Sequence, residues 1–449
     1  MDSIPQLAHQ TSHAETPQVD GVQDFMDLRK SGWIVRAARL WRTLRENRIS
    51  FISLGVWIGR LAFPRRTAKG KQPPANILVI RLDAMGDLIM TEPIFRELKL
   101  RFPATRITAV VQERNRGILE ANPNVDRILH PPSPPKSRFL QQVHCELSVL
   151  RLYWRTFRSE EFDMALQPRL GPDYYAANLL LKLVDAPVSV KFLDAPNGLA
   201  GIISNLMCGS MVSLQRPKAQ HEMASNAAIA GRVTGNAFTS RPKIFLSRED
   251  GEGPRRRVAK LQTGTTILCL AFGAQAERRK WPLAYWAEVI QIISKERELF
   301  VFIICSSGER DEGLRLQSLL PVESFLLSGA GLREAAACLE LCDFYIGPDS
   351  GLAHMAAAVD CVPIVVSPHP INGDPEDAGS PVRMAPYSPH ARIVQPREAV
   401  SPCRDRCEAT GSHCIMQITP MQVAEAFEIT LHSLEQQALK SQQIATNSR

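Results

Sequence analysis

From about residue 76 onward, short apolar runs alternate with amphipathic stretches, the pattern of strands buried on both faces and connected by helices. Residues 77–80 (ILVI) form the first run. A turn follows, then a helical segment to about Arg101, then a second apolar run at 107–111, so the chain opens on a βαβ unit. Further strands are expected at 127–129 and 164–166, with long helical stretches between them. The alternation breaks over a polar, basic region near 239–257. It restarts with a strand at 266–270, a helix around 285–294, and strands at 300–304, 344–346 and 363–366. Two such sets imply an α/β chain with two doubly wound domains facing a central cleft, where ligands sit beyond the carboxyl ends of the strands.

The segment before residue 76 reads differently. Residues 1 to about 25 are polar and read as disordered. Trp33, Ile34, Ala37, Ala38, Trp41 and Leu44 then recur at helical spacing, ringed by Arg36, Arg39, Arg42, Arg45 and Arg48. That pattern fits a basic helix lying on an anionic membrane equally as well as one docked on the protein with a solvated face. The apolar run at 51–63 includes Arg60 and is shorter than the ~20 residues needed to cross a bilayer. A charged, proline-rich linker at 64–74 leads into the body. The expected division is a 1–75 extension, a 76–238 first domain, a 239–430 second domain and a 431–449 polar tail.

Composition narrows the partners. At 449 residues with 45% hydrophobic and 22% charged content, the chain is long enough for more than one core. The formal charge of +7 favours acidic partners, yet it is too diffuse for nucleic acid, which calls for a concentrated basic stripe. The ten cysteines lie largely in apolar stretches, as reduced thiols do, and the polar N-terminus lacks the order of a signal peptide. A cytoplasmic protein is expected.

Three loops carry candidate chemistry. After the first strand comes Arg81-Leu82-Asp83-Ala84-Met85-Gly86-Asp87, where Gly86 permits close approach of a substrate and Asp87 sits among the free N–H groups of a helix start. Asp87 there is either a base or simply a helix cap. After the first strand of the second domain, Gln275 precedes the cations Arg278, Arg279 and Lys280 and then Trp281-Pro282. Such a run suits a diphosphate, though it also occurs as a merely solvated charge run. Finally, Gly347-Pro348-Asp349-Ser350-Gly351-Leu352-Ala353-His354 leads from a strand into an Ala-rich helix, with Asp349 or Ser350 as N-cap and the first N–H groups aimed at an anion. His354, one turn in, is on its own more often a structural histidine than a ligand. The motifs of nucleotide hydrolases, dinucleotide enzymes, zinc proteases and serine hydrolases are absent.

The order and spacing of these loops resemble glycosyltransferase family 9, the ADP-heptose:lipopolysaccharide heptosyltransferases, over about residues 76–427. The segment 87–98 (DLIMTEPIFREL), Asn122-Pro123-Asn124-Val125-Asp126, the Ser307-Gly308-Glu309 turn and the closing stretch from Cys403 to Met416 add to the likeness. The resemblance implies a GT-B fold and a metal-independent, inverting transfer of heptose from ADP-heptose to the lipopolysaccharide inner core at the inner face of the inner membrane, with no cofactor. It also implies roles for single residues: Asp87 as base with Gly86 on the acceptor side; Gln275, Arg279, Lys280 and Glu309 on the donor nucleotide; Asp349, Ser350, Gly351, Leu352 and His354 seating the diphosphate and ribose. One departure stands out. Where the family reads Lys-x-Trp-Pro, this chain has Arg279-Lys280-Trp281-Pro282, which leaves open another glycan or protein acceptor, or a silent sugar-nucleotide-binding protein. The cluster Cys403, Cys407, His413 and Cys414 is expected to be a structural segment of thiols, with a zinc site as the alternative reading.

Overall fold

The computed structural model describes residues 73–133, 141–170, 173–192, 212–214 and 218–447. The disordered stretch, basic helix and apolar run expected before residue 73 lie outside the described residues.

The first sheet has six parallel strands, β1 (Asn76–Arg81), β2 (Arg106–Val111), β3 (Arg127–Leu129), β4 (Met164–Gln167), β5 (Val188–Phe192) and β6 (Val212–Leu214), in the order β3-β2-β1-β4-β5-β6. The second repeats this winding. Its strands β7 (Thr266–Ala271), β8 (Leu299–Cys305), β9 (Glu323–Ser328), β10 (Phe344–Pro348), β11 (Val362–Val366) and β12 (Arg392–Val394) lie in the order β12-β11-β10-β7-β8-β9, again all parallel. Each sheet is a doubly wound unit whose strand order reverses between its first and fourth strands.

The central strands were legible because both of their faces are covered. Ile77 to Ile80 and the whole of β8 are buried, so they read as unbroken apolar runs. Four strands escaped the pattern. β6, β9 and β12 are sheet edges, and β9 carries Glu323 exposed at its start. β5 hides Lys191, whose ammonium group donates to Asn178 Oδ1 at 3.1 Å. A polar tail was expected from 431, but the helix Pro420–Asn447 runs through it. Its early apolar residues Val423, Ala424 and Phe427 pack into the second domain, while residues 435–440 are exposed.

Two helices matter most for the site: α1 (Met85–Arg101), which follows β1, and α3 (Gly351–Ala358), which follows β10. Between them in the chain lies α2 (Glu222–Thr234), which packs along α1, starts on the His221 side chain accepting from Met223 N–H at 3.2 Å, and ends at Gly235 with φ of +89°. The connection between the domains is pinned to both. Glu92 of α1 accepts from Lys243 N–H at 2.9 Å, and Ile244 N–H donates to Ala358 O of α3 at 3.2 Å. Because α1 and α3 each begin at a strand's carboxyl end, this arrangement brings the two helix starts together.

Candidate active site at the contact between the domains

The first-domain half of the site is organised by Arg81, the last residue of β1. A strand end buried under helices would normally exclude a guanidinium, so this one is surrounded by carboxylates. Its Nε lies 3.0 Å from Asp83 Oδ2, and its Nη2 lies 3.0 Å from Asp87 Oδ1 and 2.7 Å from Glu222 Oε1. Arg169 completes the group with an ion pair to Asp83. Burial opposes the charge of Arg81, but Glu222 and Asp87 outweigh it and hold its pKa above the ordinary value. Burial pushes Glu222 upward, against the pull of Arg81.

Asp87 is the member of this cluster that reaches the cleft, its side chain 22% exposed against 2% for Arg81 and Glu222. It also caps: Oδ2 accepts from Ala84 N–H at 3.2 Å at the start of α1. The two readings of Asp87 are therefore compatible, since the cap and Arg81 fix the carboxylate at one rotamer while an edge of it stays open.

The second-domain half is built on the turn from β10 to α3. Ser350 occupies the N-cap position, but its hydroxyl makes no capping bond; it lies 3.3 Å from Tyr345 Oη. The first N–H groups of α3 are thus not consumed by the side chain expected to cap them. Arg279 reaches across from the loop after β7, with Nη1 donating to Asp349 O at 3.0 Å and Nη2 3.5 Å from Asp349 Oδ2. Lys280 turns away and pairs with Glu277 at 2.8 Å, which raises its pKa. Of the two adjacent cations, Arg279 and not Lys280 meets the Asp349 turn. Glu309 accepts from Ser306 N–H and its hydroxyl, and its carboxylate stands where a side chain on Gly273 would go. Gln275 is exposed on the same loop, and Leu352 packs against the core.

The two halves meet through glycines. A Cβ on Gly86 would lie 2.7 Å from His354 Cδ2, and one on Gly351 would lie 2.2 Å from Met85 Cε. His354 is buried, its Nδ1 has no hydrogen-bond partner among the described residues, and burial holds its pKa down against the pull of Asp349 and Asp87. Burial therefore favours the neutral imidazole, whose ring stands against Gly86 at the start of α1.

Sequence reasoning missed several members of this neighbourhood. Glu222 is 141 residues from Arg81 in the chain, so no local signal marks it. Arg383 on the short helix Pro381–Met384 adds positive charge beside Glu222, and His221 Nε2 lies 2.9 Å from Ala385 O, linking α2 to the second domain. His369, just beyond β11, faces Asp377, Asp374 and Asp349, and burial lowers its pKa. The Cys403, Cys407, His413 and Cys414 side chains do converge, with their ligand atoms within 4.8 Å of one another, but on the loop behind the Arg279 turn and not in the cleft.

Among the described residues no helix is long and apolar enough to cross a membrane. The chain is similar to lipopolysaccharide heptosyltransferase 2 of Salmonella typhimurium, 23% identical over 383 residues that cover 80% of this chain and 98% of the relative. It is 20% identical to the lipopolysaccharide core heptosyltransferase OpsX of Haemophilus influenzae, over 72% of this chain and 85% of that one. Among solved structures, a family 9 glycosyltransferase from Veillonella parvula superposes with a TM-score of 0.62 at 17% identity, covering 80% of this chain and 98% of the other. The ADP-heptose heptosyltransferase II of E. coli gives 0.58 at 19%, covering 80% and 99%. These likenesses establish the GT-B fold. The family model for glycosyltransferase family 9 (heptosyltransferase) matches residues 151–413, a range that contains Arg279 through His354 but not Asp87. Spanning more than half of the chain, that match identifies the protein as a glycosyltransferase belonging to family 9.

Proposed function

We propose that the protein transfers heptose from ADP-heptose to the inner core of lipopolysaccharide, with inversion and without a metal in the reaction. The observation that carries this reading is the contact of the two helix starts. It sets Asp87 of the first domain beside the open N-terminus of α3 in the second, across Gly86 and His354. The names of the relatives supply the sugar and the acceptor class.

In this mechanism the acceptor hydroxyl approaches Asp87, which takes its proton as the oxygen attacks the anomeric carbon. Arg81 and the Ala84 N–H keep the carboxylate aimed until then. Positive charge develops on the sugar while negative charge grows on the departing diphosphate. The free N–H groups at Ser350 and Gly351, together with Arg279, stabilise that negative charge in the place a divalent cation would otherwise take. His354 stays neutral and offers a ring nitrogen to the donor. The working location is the cytoplasmic face of the inner membrane, where this acceptor is presented.

Asp87→Asn tests the assignment. It should leave ADP binding intact and lower transfer by roughly 10²-fold or more, the usual loss when a general base is removed. Full turnover with ADP-heptose and a defined core acceptor would refute the role of Asp87. Transfer by the unmodified protein should persist in excess EDTA; loss that magnesium restores while the fold stays intact would refute the metal-free chemistry.

A further inference from the structure

We propose that Cys403, Cys407, His413 and Cys414 hold a zinc ion, and that this ion braces the loops behind the donor half of the cleft. The four side chains come from one irregular stretch, yet their ligand atoms lie within 4.8 Å of one another. His413 Nδ1 is 3.6 Å from Cys403 Sγ and 3.5 Å from Cys414 Sγ. A tetrahedral zinc with Zn–S of about 2.3 Å and Zn–N of about 2.0–2.1 Å sets its nitrogen and sulfur ligands roughly 3.6 Å apart. The His413 nitrogen stands at this spacing from the Cys403 and Cys414 sulfurs.

The surroundings also suit a metal. Glu408 N–H donates to Cys403 Sγ at 3.3 Å, the kind of backbone contact that orients a ligating thiolate. The three thiols are free and buried in a satellite cluster of their own, joined only by Ala399, Val400 and Ala409. From 395 to 413 the chain forms no helix or strand. So small an apolar cluster buries little surface to hold such a stretch, whereas a structural metal contributes folding energy directly. As the three Zn–S bonds form, three thiol protons pass to solvent and the imidazole binds as a neutral ligand.

The braced loop touches the donor side at several points. Ser412 Oγ donates to Lys280 O at 2.7 Å, directly behind Arg279. Asp405 O accepts from Asp374 N–H at 2.8 Å, and Arg406 pairs with Asp377 at 3.1 Å. The site is structural and takes no part in the proposed transfer, so it stands or falls separately from that reaction.

The test uses the full-length protein, purified under reducing conditions. Elemental analysis should find about one zinc per chain, and X-ray absorption at the zinc edge should give three sulfurs and one nitrogen at the distances above. Cobalt(II) added to metal-free protein should produce thiolate-to-cobalt charge transfer and tetrahedral ligand-field bands. Cys407→Ser should abolish these and Cys145→Ser should keep them. Amide exchange at 277–280 and 374–379 should quicken on metal removal. Folded protein that neither carries zinc nor develops the cobalt spectrum would overturn the site, as would a zinc shell lacking sulfur or a disulfide among these cysteines. Unchanged exchange would overturn the bracing. Since the absorption experiment needs only the natural protein, a variant that fails to fold leaves the test intact.

Discussion

Gly86→Ala adds a single methyl group where the two domains touch, and its effect follows from distances. The new Cβ would stand 2.7 Å from His354 Cδ2, 3.0 Å from Nε2 and 3.1 Å from Cγ, against 3.4 Å for the near edge of ordinary contact, so about 0.7 Å must be found. His354 has little room to yield, because it is buried within α3 among Ala353, Met355 and Ala356. The displacement therefore falls on the spacing of α1 and α3. Overpacking of this kind costs about 1–3 kcal/mol, offset by about 1 kcal/mol for replacing a helical glycine with alanine. The net loss is ~0–2 kcal/mol, a few degrees in Tm. Catalysis should suffer more, since a misplacement near 1 Å between reacting groups costs up to roughly 10²-fold. Turnover measured as ADP release should fall by about 10- to 100-fold while thermal unfolding moves little. Full turnover in Gly86→Ala would refute the claim that this contact sets the geometry of the site.

Arg279→Ala should weaken ADP binding by roughly 10- to 100-fold, the value of a charge-assisted contact, and Lys280→Ala by much less because Lys280 is spent on Glu277; calorimetry showing the reverse order would exchange their roles. Burial lowers the pKa of His354, His221 and His369, so each is neutral when folded but takes a proton when unfolded below about pH 6.5. The stability they contribute is present above that pH and is lost as pH falls toward their folded values. Denaturant unfolding of His354→Asn should show a shallower slope against pH as the pH falls below about 6.5, above the range of Asp126, Asp250 and Asp377. An unaltered slope would mean His354 is already charged in the folded protein. Deleting residues 1–70 should spare transfer to a soluble acceptor and reduce sedimentation with anionic vesicles; unchanged sedimentation would show that the basic segment at 33–48 is not a membrane contact.

Much of the architecture was written in the sequence, because strands buried on both faces must be apolar throughout. The runs at 77–80, 107–111, 266–270, 300–304 and 363–366 mark five of the central strands nearly to the residue. Asp87, Arg279 and the Asp349 turn were singled out as candidates by asking what lies at a strand's carboxyl end. Edge strands such as β9 and β12 were not legible, since a strand with one open side tolerates polar residues and loses the pattern. Alignment on Trp281-Pro282 set Arg279 at the family's Lys position, but the sequence did not decide which of the two adjacent cations contacts the Asp349 turn. That choice came from the packing that sends Arg279 toward Asp349 and leaves Lys280 with Glu277. Least visible of all was the full charge cluster around Arg81: Asp83 and Asp87 are near it in the chain, but Arg169 comes from beyond β4 to pair with Asp83, and Glu222 reaches Arg81 only when α2 packs along α1. Burial makes their mutual pairing obligatory, and burial is a property of the assembled molecule that no stretch of sequence carries alone.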